Sequence, residues 1–169
     1  MTRLKLTVIF SFVLAGFLLV SCEEDKDDRI EVSNFNITMT GAKVVPANAS
    51  TASGTVQATY NRKTHVLNYK LTWAGLAGTV AAIHIHGLAE AGFVALPSPL
   101  GPHPNGIVQT VPAGFQTTAS GSYSGSLFVD NVVIKEADLL AGKYFIDIHS
   151  SVAPYSTTGE IRGQLTFAN

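Results

Sequence analysis

The sequence predicts an all-β fold, namely a Greek-key β-sandwich or barrel of about eight strands with one short helical turn. First, glycine, threonine, serine and valine are plentiful and only 14% of the residues are charged, a composition that favours strands and turns. Second, apolar and polar residues alternate from Leu67 to Trp73, the period-two pattern of a half-buried strand. Third, short strand-like runs and turn signals alternate from Phe35 onward. The 169 residues suffice for one such domain and an export signal.

The domain, residues 35–169, contains eight candidate strands. They are Phe35 to Thr40, Gly54 to Tyr60, His65 to Trp73, Val80 to His86, Ile107 to Val111, Ser122 to Val129, Lys143 to His149 and Glu160 to Phe167. The polar run Asn61 to Thr64 predicts a hairpin between the second and third strands. The helical turn is expected from Lys135 to Ala141, because Gly142 is suited to end a helix.

The first 21 residues have the organisation of an export signal. Arg3 and Lys5 make a positive start, and Leu6 to Val20 is an apolar run too short for a comfortable transmembrane helix. The run ends in Leu19-Val20-Ser21-Cys22, which resembles the lipobox of bacterial lipoproteins. The resemblance implies lipidation of Cys22, cleavage before it and a stable anchor of several acyl chains. Cys22 is the only cysteine and has no disulfide partner, although an ordinary signal peptide with a chance cysteine is the alternative.

Residues 22–34 are expected to form an acidic tether, because a block of acidic side chains stays solvated. Removal of residues 1–21 takes away two of the 11 basic residues and none of the 12 acidic ones, so the net charge changes from −1 to −3. The block is either a plain spacer or, as we favour, a signal similar to that of surface lipoproteins. We therefore predict an exported protein anchored by lipid in the outer membrane and facing the cell surface, with the periplasmic face as the alternative. The lack of a basic stripe excludes a nucleic-acid partner.

Two histidines on the fourth candidate strand are candidate metal ligands. On a strand, His84 and His86 point to one face while Ile83 and Ile85 point to the core. Two imidazoles at this spacing can share a zinc or copper ion. The alternative is that these histidines only donate hydrogen bonds to loop carbonyls.

The seventh candidate strand repeats this pattern. Its isoleucines face the core, so Asp147 and His149 face away from it. If the two strands are neighbours, His149 joins the first two histidines on the outer face of the sheet. Asp147 is then a candidate for orienting an imidazole. A long segment rich in glycine and proline follows the fourth strand, and it carries His103 as a fourth candidate ligand that can fold over the cluster.

The sequence shows no known catalytic motif. It has no G-x-S-x-G elbow, no phosphate-binding glycine loop and no cysteine nucleophile. The acidic residues show no spacing that pairs them for acid–base catalysis. Glu160 and Arg162 share one strand face and are interpreted as a structural charge pair. These observations favour a non-enzymatic protein and leave the question open.

Four segments together resemble the CHRD (chordin) domain family. They are Gly41 to Pro46 (family pattern G-A-x-x-V-P-P), Ala82 to Gly87 (A-H-I-H-G), Leu139 to Ser150 (L-x-x-G-x-Y-x-N-x-H-T) and Gly159 to Leu165 (G-E-I-R-G-Q-L). They occur in the family's order and span roughly residues 35–168. The departures are Ala47 in place of the second proline, Asp147 where asparagine is common, and a longer segment after Gly87.

This resemblance implies an extracellular β domain rather than a particular activity. In animal chordins such domains occur within extracellular antagonists of growth factors. The chain is also loosely similar to the copper/zinc superoxide dismutase-like barrel, which has an H-x-H strand, a long following loop with metal-binding histidines and a histidine on a late strand. Here no cysteine pair fastens the loop, and five histidines cannot complete both metal sites. The similarity therefore argues for the fold and against dismutase activity.

Two functions follow from these observations. The first is an exported, lipid-anchored CHRD-domain protein that acts as an extracytoplasmic binding module for a protein or glycan ligand. The second is copper or zinc binding by a histidine cluster on the outer face of the barrel. The candidate ligands are His84, His86, His149 and His103. No cofactor is certain, and copper and zinc are the candidates.

Overall fold

The computed structural model describes residues 35–96 and 106–167. The eight strands are β1 (Phe35–Thr40), β2 (Ser53–Asn61), β3 (Val66–Ala74), β4 (Val80–Gly87), β5 (Ile107–Thr110), β6 (Gly121–Phe128), β7 (Tyr144–Ser150) and β8 (Ile161–Gln164). Each strand coincides with a predicted strand, and the largest difference is at the carboxyl end of β8, which is shorter than expected. Cys22 and His103 lie outside the described residues, so their predictions are untested by the fold.

All eight strands pair antiparallel in one sheet, in the order β5-β4-β7-β8-β1-β2-β3-β6. The connections from β3 to β4 and from β6 to β7 join strands that are not neighbours, as in a Greek key. The sheet curls into a nearly closed barrel, and side chains bridge its two edges. The hydroxyl of Tyr69 donates to Gln109 Oε1 (2.9 Å), and the amide of Gln109 donates to the Ser126 carbonyl (3.0 Å). The predicted all-β class is therefore confirmed.

The hydrophobic core lies inside this barrel. It is formed by the side chains on the inward face of the long strands. In β3, buried and exposed residues alternate from Leu67 to Trp73, as the period-two pattern predicts. The isoleucines of β4 and β7 are fully buried beneath the sheet. The outward-facing residues of β7 are buried as well, so this strand is covered on both faces. The sequence analysis placed Asp147 and His149 on an outer face, which is correct for their direction but not for their exposure.

Two short helices interrupt the strands. The predicted helical turn is α1 (Glu136–Leu140). It ends at Gly142 as expected, because this glycine has a φ of 71°. The Gly142 N–H donates to the Leu139 carbonyl, and the Lys143 N–H donates to the Asp138 carbonyl. The second helix, α2 (Tyr155–Thr158), was not predicted, because four polar residues after a proline carry no apolar periodicity. No helix in the described residues is long and apolar enough to span a membrane.

The predicted charge pair between Glu160 and Arg162 is wrong. Glu160 is fully buried, and its carboxylate accepts hydrogen bonds from the Ala77 N–H (2.9 Å) and the Ser50 hydroxyl (2.7 Å). Arg162 donates to partners on another segment, described below. Glu160 precedes β8, where the backbone no longer follows the strand, so the two-residue spacing does not bring the charges together. Glu160 nevertheless has a structural role, because its carboxylate joins the start of β8 to the segments that precede β2 and β4.

Replacement of Glu160 by alanine tests this structural role. Glu160→Ala removes a fully buried carboxylate that accepts from the Ala77 N–H and the Ser50 hydroxyl, so we expect the free energy of unfolding to fall by about 1–3 kcal/mol. Urea denaturation measures this loss. The control is Glu90→Ala, which removes an exposed carboxylate and should change stability by less than about 0.5 kcal/mol. Equal effects of the two substitutions would contradict the structural role of Glu160.

Candidate metal centre

The pairing of β4 with β7 brings four potential ligands together. His84 lies directly opposite Asp147 in the antiparallel ladder, and His149 lies opposite Ala82. Because alternate residues of a strand share a face, His86 projects on the same side as His84, and His149 on the same side as Asp147. The intervening isoleucines of both strands point into the core. The sequence alternation therefore sets apolar groups beneath the sheet and nitrogen and oxygen donors above it.

Asp147 is the centre of this group. Its Oδ2 atom lies 3.2 Å from His86 Nε2, and its Oδ1 atom lies 3.4 Å from His149 Nε2 and 3.9 Å from His84 Nδ1. One donor atom from each of the four residues lies within 4.8 Å of every other. Zinc–nitrogen bonds of 2.0–2.1 Å separate neighbouring ligands of a tetrahedral ion by about 3.3 Å. The separations of 3.2 and 3.4 Å match this value, whereas donor atoms as far apart as 4.8 Å must move closer together to share an ion.

The cluster is buried, and two of its atoms, which face each other at 3.4 Å, make no hydrogen bond. Asp147 and His149 are each 7% exposed. Asp147 Oδ1 and His149 Nε2 have no partner within hydrogen-bond geometry among the described residues. A buried polar atom without a hydrogen bond costs about 1–3 kcal/mol, and native structures rarely leave one without a purpose. Both atoms belong to residues of the four-donor group, so an ion bound to that group would satisfy them.

The electrostatics of the cluster favour a negative carboxylate. Burial alone raises the pKa of Asp147, but the imidazoles of His149 and His86 outweigh it and hold the pKa below its usual range. Burial also acts to lower the pKa of His149, whereas the Asp147 carboxylate and the Ser156 carbonyl raise it above its ordinary value. The carboxylate is thus ionised at neutral pH, the form in which it binds a cation.

Outer groups fix the orientation of two imidazoles. His149 Nδ1 lies 3.3 Å from the Ser156 carbonyl in α2, so its Nε2 is the nitrogen turned toward Asp147. A carbonyl partner on the second ring nitrogen is typical of histidines that ligate metals. The His86 ring stacks on Phe145 with centroids 4.9 Å apart and planes 9° apart. The Arg162 guanidinium lies over the same phenyl ring, with its Cζ atom 3.5 Å from the ring centroid.

Arg162 and Gln164 hold a loop over the cluster. Arg162 donates to the Phe93 carbonyl (2.8 Å), the Glu90 carbonyl (3.3 Å) and Gln164 Oε1 (2.9 Å). Gln164 donates to the Ala89 carbonyl (2.7 Å). Both side chains are buried, and together they fasten residues 89–93 to β8. No sequence pattern indicates this clamp, because hydrogen bonds to carbonyls some 70 residues away leave no local signal.

The structure therefore brings together His84, His86 and His149, as the sequence analysis expected, and adds Asp147 as a fourth donor at their centre. The role predicted for Asp147 was to orient an imidazole, and its position is also suited to direct ligation. The cluster lies beneath covering segments rather than on an open outer face. His103 lies outside the described residues, so its place among the ligands stays a prediction, as does the looser similarity to superoxide dismutases.

Arg162→Lys tests the clamp. A lysine cannot donate to three acceptors in one plane, so the loop carbonyls lose partners. We expect the free energy of unfolding to fall by about 1–3 kcal/mol and amide exchange of residues 89–93 to accelerate. The matched control is Arg62→Lys, because Arg62 pairs with Glu136 with 44% of its side chain exposed and should lose less than about 1 kcal/mol. Unchanged exchange in residues 89–93 would show that Arg162 does not hold the loop.

One protein family matches the part of the chain that contains the barrel and the four clustered residues. The CHRD domain family matches residues 35–165, a span that includes all eight strands and the four clustered residues. No curated protein and no solved structure matches the sequence significantly. The family match extends over well more than half of the chain, and it follows the order of the four motifs described above. The chain therefore belongs to the CHRD domain family.

Proposed function

We propose that this CHRD domain binds one divalent transition-metal ion, zinc or copper, through His84, His86, Asp147 and His149. The observation that carries the proposal is the convergence of four donor atoms within 4.8 Å of one another on one face of the β4–β7 pair. Three imidazoles and one carboxylate are the donor set that zinc and copper prefer, whereas calcium and magnesium prefer oxygen ligands. Membership in the CHRD family supports an extracellular binding module as the general class of function.

Burial of the cluster supports the same proposal. The four residues are nearly enclosed, and their carboxylate faces imidazole nitrogens rather than solvent. A metal ion satisfies the two buried atoms that lack a hydrogen bond, because it accepts a lone pair from each of them. The isoleucines beneath the sheet fix the strand positions, so the ion finds its ligands already arranged.

Metal stoichiometry of single variants tests this proposal. Residues 23–169, which contain every described strand and helix, are purified without a histidine tag and titrated with zinc and with copper. We expect one ion per chain, and a rise in Tm of about 10 °C when the free ion is about 100-fold above Kd. His84→Ala, His86→Ala and His149→Ala should each weaken binding by more than about 100-fold, because they remove a direct ligand. Asp147→Asn keeps the shape of the side chain and removes the charge, and it should also weaken binding.

His65→Ala is the matched control, because His65 lies at the β2–β3 turn with 41% of its side chain exposed, away from the cluster. It should bind metal as the parent does. His103→Ala tests the remaining ligand prediction and should weaken binding only if His103 contributes. The proposal is refuted if the parent chain is folded and binds neither zinc nor copper, as its ligand variants do.

The export and anchoring of the protein are a second part of the proposal. The lipobox-like sequence before Cys22 and the acidic block after it support a lipid anchor in the outer membrane, with the domain at the cell surface. Domains of this family are typically extracellular. The alternative orientation toward the periplasm is compatible with the same anchor.

Cys22→Ser in the full-length chain tests the anchor. The parent should incorporate labelled fatty acid and fractionate with membranes, because its acyl chains each contribute about 0.8 kcal/mol per buried methylene. The variant should incorporate none and lose its membrane association. Protease added to intact cells then separates the two faces, since only a surface protein is cleaved before the cells are lysed. Fatty-acid incorporation that survives the substitution would contradict lipidation at Cys22.

A protein or glycan ligand also stays a prediction. The exposed apolar side chains Leu88, Phe93 and Leu96 are 47%, 64% and 68% exposed on the clamped loop. Exposed apolar side chains in one short segment favour a protein surface over a glycan as the partner. We propose that any macromolecular partner contacts this loop.

A further inference from the structure

The metal centre opens on a cavity that the four ligands do not fill. All four side chains rise from one face of the β4–β7 pair, so an ion bound to them has its outer side toward the space above the sheet. That space is a cavity of about 580 Å³, and His84, His86, Asp147 and His149 are part of its lining. Its volume lies in the range of about 300–1,000 Å³ that is typical of small-molecule sites.

Apolar residues form one part of the wall of this cavity, and Ser156, Thr157 and Thr158 form a polar part. Val44 and Val45 contribute from the turn after β1, Val94 and Leu96 from the clamped loop, and Ile107 from β5. These residues come from three separate parts of the chain, so the apolar wall is built by the fold rather than by one segment. An aliphatic group gains about 25 cal/mol per Å² when such a wall removes it from water. The cavity therefore suits a ligand with a hydrocarbon chain.

The net positive charge at the floor of the cavity favours an anionic ligand. Neutral imidazoles leave Asp147 as the one negative ligand of a divalent ion among the described residues, and the Arg162 guanidinium lines the same cavity. Arg162 is buried, so its charge is poorly screened by water. One carboxylate cannot neutralise a divalent ion and a guanidinium together. An added monoanion reduces the remaining positive charge.

We propose that the metal centre binds an aliphatic monocarboxylate. The carboxylate joins the four protein donors as a fifth ligand on the outward side of the ion, near Arg162, and the hydrocarbon chain lies against Val94, Leu96 and the other apolar residues of the wall. This inference rests on the proposed metal site, and it names the chemical class of its ligand. The positive charge of the ion and of Arg162 selects a carboxylate, and the apolar residues of the wall select the length of the ligand's hydrocarbon chain.

Cobalt substitution tests the proposal, because the visible spectrum of bound cobalt changes when a ligand joins the metal. Residues 23–169 are loaded with one equivalent of Co²⁺ and titrated with acetate, butyrate and hexanoate, and with hexanol as the neutral analogue. We expect each carboxylate to change the cobalt bands, and the affinity to rise by about fourfold for each added methylene that is buried. Hexanol should leave the bands unchanged, because it carries no anionic donor.

A matched pair of valines tests the wall. Val94→Ser makes the cavity wall polar and should weaken hexanoate binding by at least about fourfold while changing acetate binding little. Val132→Ser is the control, because Val132 is as exposed as Val94 (62% against 54%) and is not part of the cavity lining. It should alter neither affinity, and all three proteins should bind cobalt equally.

The outcomes separate the two proposals. A folded protein that binds none of zinc, copper and cobalt refutes the metal site and, with it, the carboxylate. A one-to-one cobalt spectrum that no carboxylate changes overturns the carboxylate inference and leaves the metal site standing. Equal affinity for acetate and hexanoate, unaffected by Val94→Ser, overturns the role of the apolar wall and reduces the site to one for small anions.

Discussion

The register of the β4–β7 ladder is the constraint on which the rest of this site depends. It sets His84 directly opposite Asp147, and the alternation of the two strands then fixes which neighbours join them. A shift of one residue in either strand would turn that strand's donors into the core and its isoleucines to the other face. Because those isoleucines are fully buried in the barrel, the packing of the core enforces the register. The hydrophobic interior thereby determines the geometry of the polar cluster above it.

Burial is the second constraint, and it explains why the polar residues around the cluster are so thoroughly bonded. Burying Asp147 and two histidines is costly unless each finds a partner. Arg162 lies opposite Asp147 in the β7–β8 ladder, yet it donates to loop carbonyls and packs on Phe145 instead. The carboxylate is consequently left to the imidazoles. A direct pair between Arg162 and Asp147 would compete with a cation for that carboxylate, so the clamp also keeps the site available.

The sequence predicted the strands and the shared face of the donors, because both follow from local alternation. It did not predict the cover of the site. The tetrapeptide of α2 has no periodic pattern, and the clamp of Arg162 and Gln164 joins residues distant in the chain. The same limitation explains the wrong pairing of Glu160 with Arg162, since two-residue spacing implies a shared face only while the backbone remains a strand. The helix that covers the site and the hydrogen bonds that clamp the loop depend on tertiary contacts, and local sequence patterns do not reveal such contacts.

The two sides of the metal centre differ in rigidity, and this difference bears on how ligands reach it. Below, the centre rests on two central strands whose core side chains are packed without exposure, and such elements open only with the whole fold. Above, it is covered by the clamped loop and by α2, which are held by side-chain hydrogen bonds such as that from Arg162 to the Phe93 carbonyl rather than by ladder pairing in the sheet. Local opening of these covering segments costs far less than disruption of the barrel. The proposed ion and anion would therefore enter from the loop side, while the positions of the four donors stay fixed by the sheet.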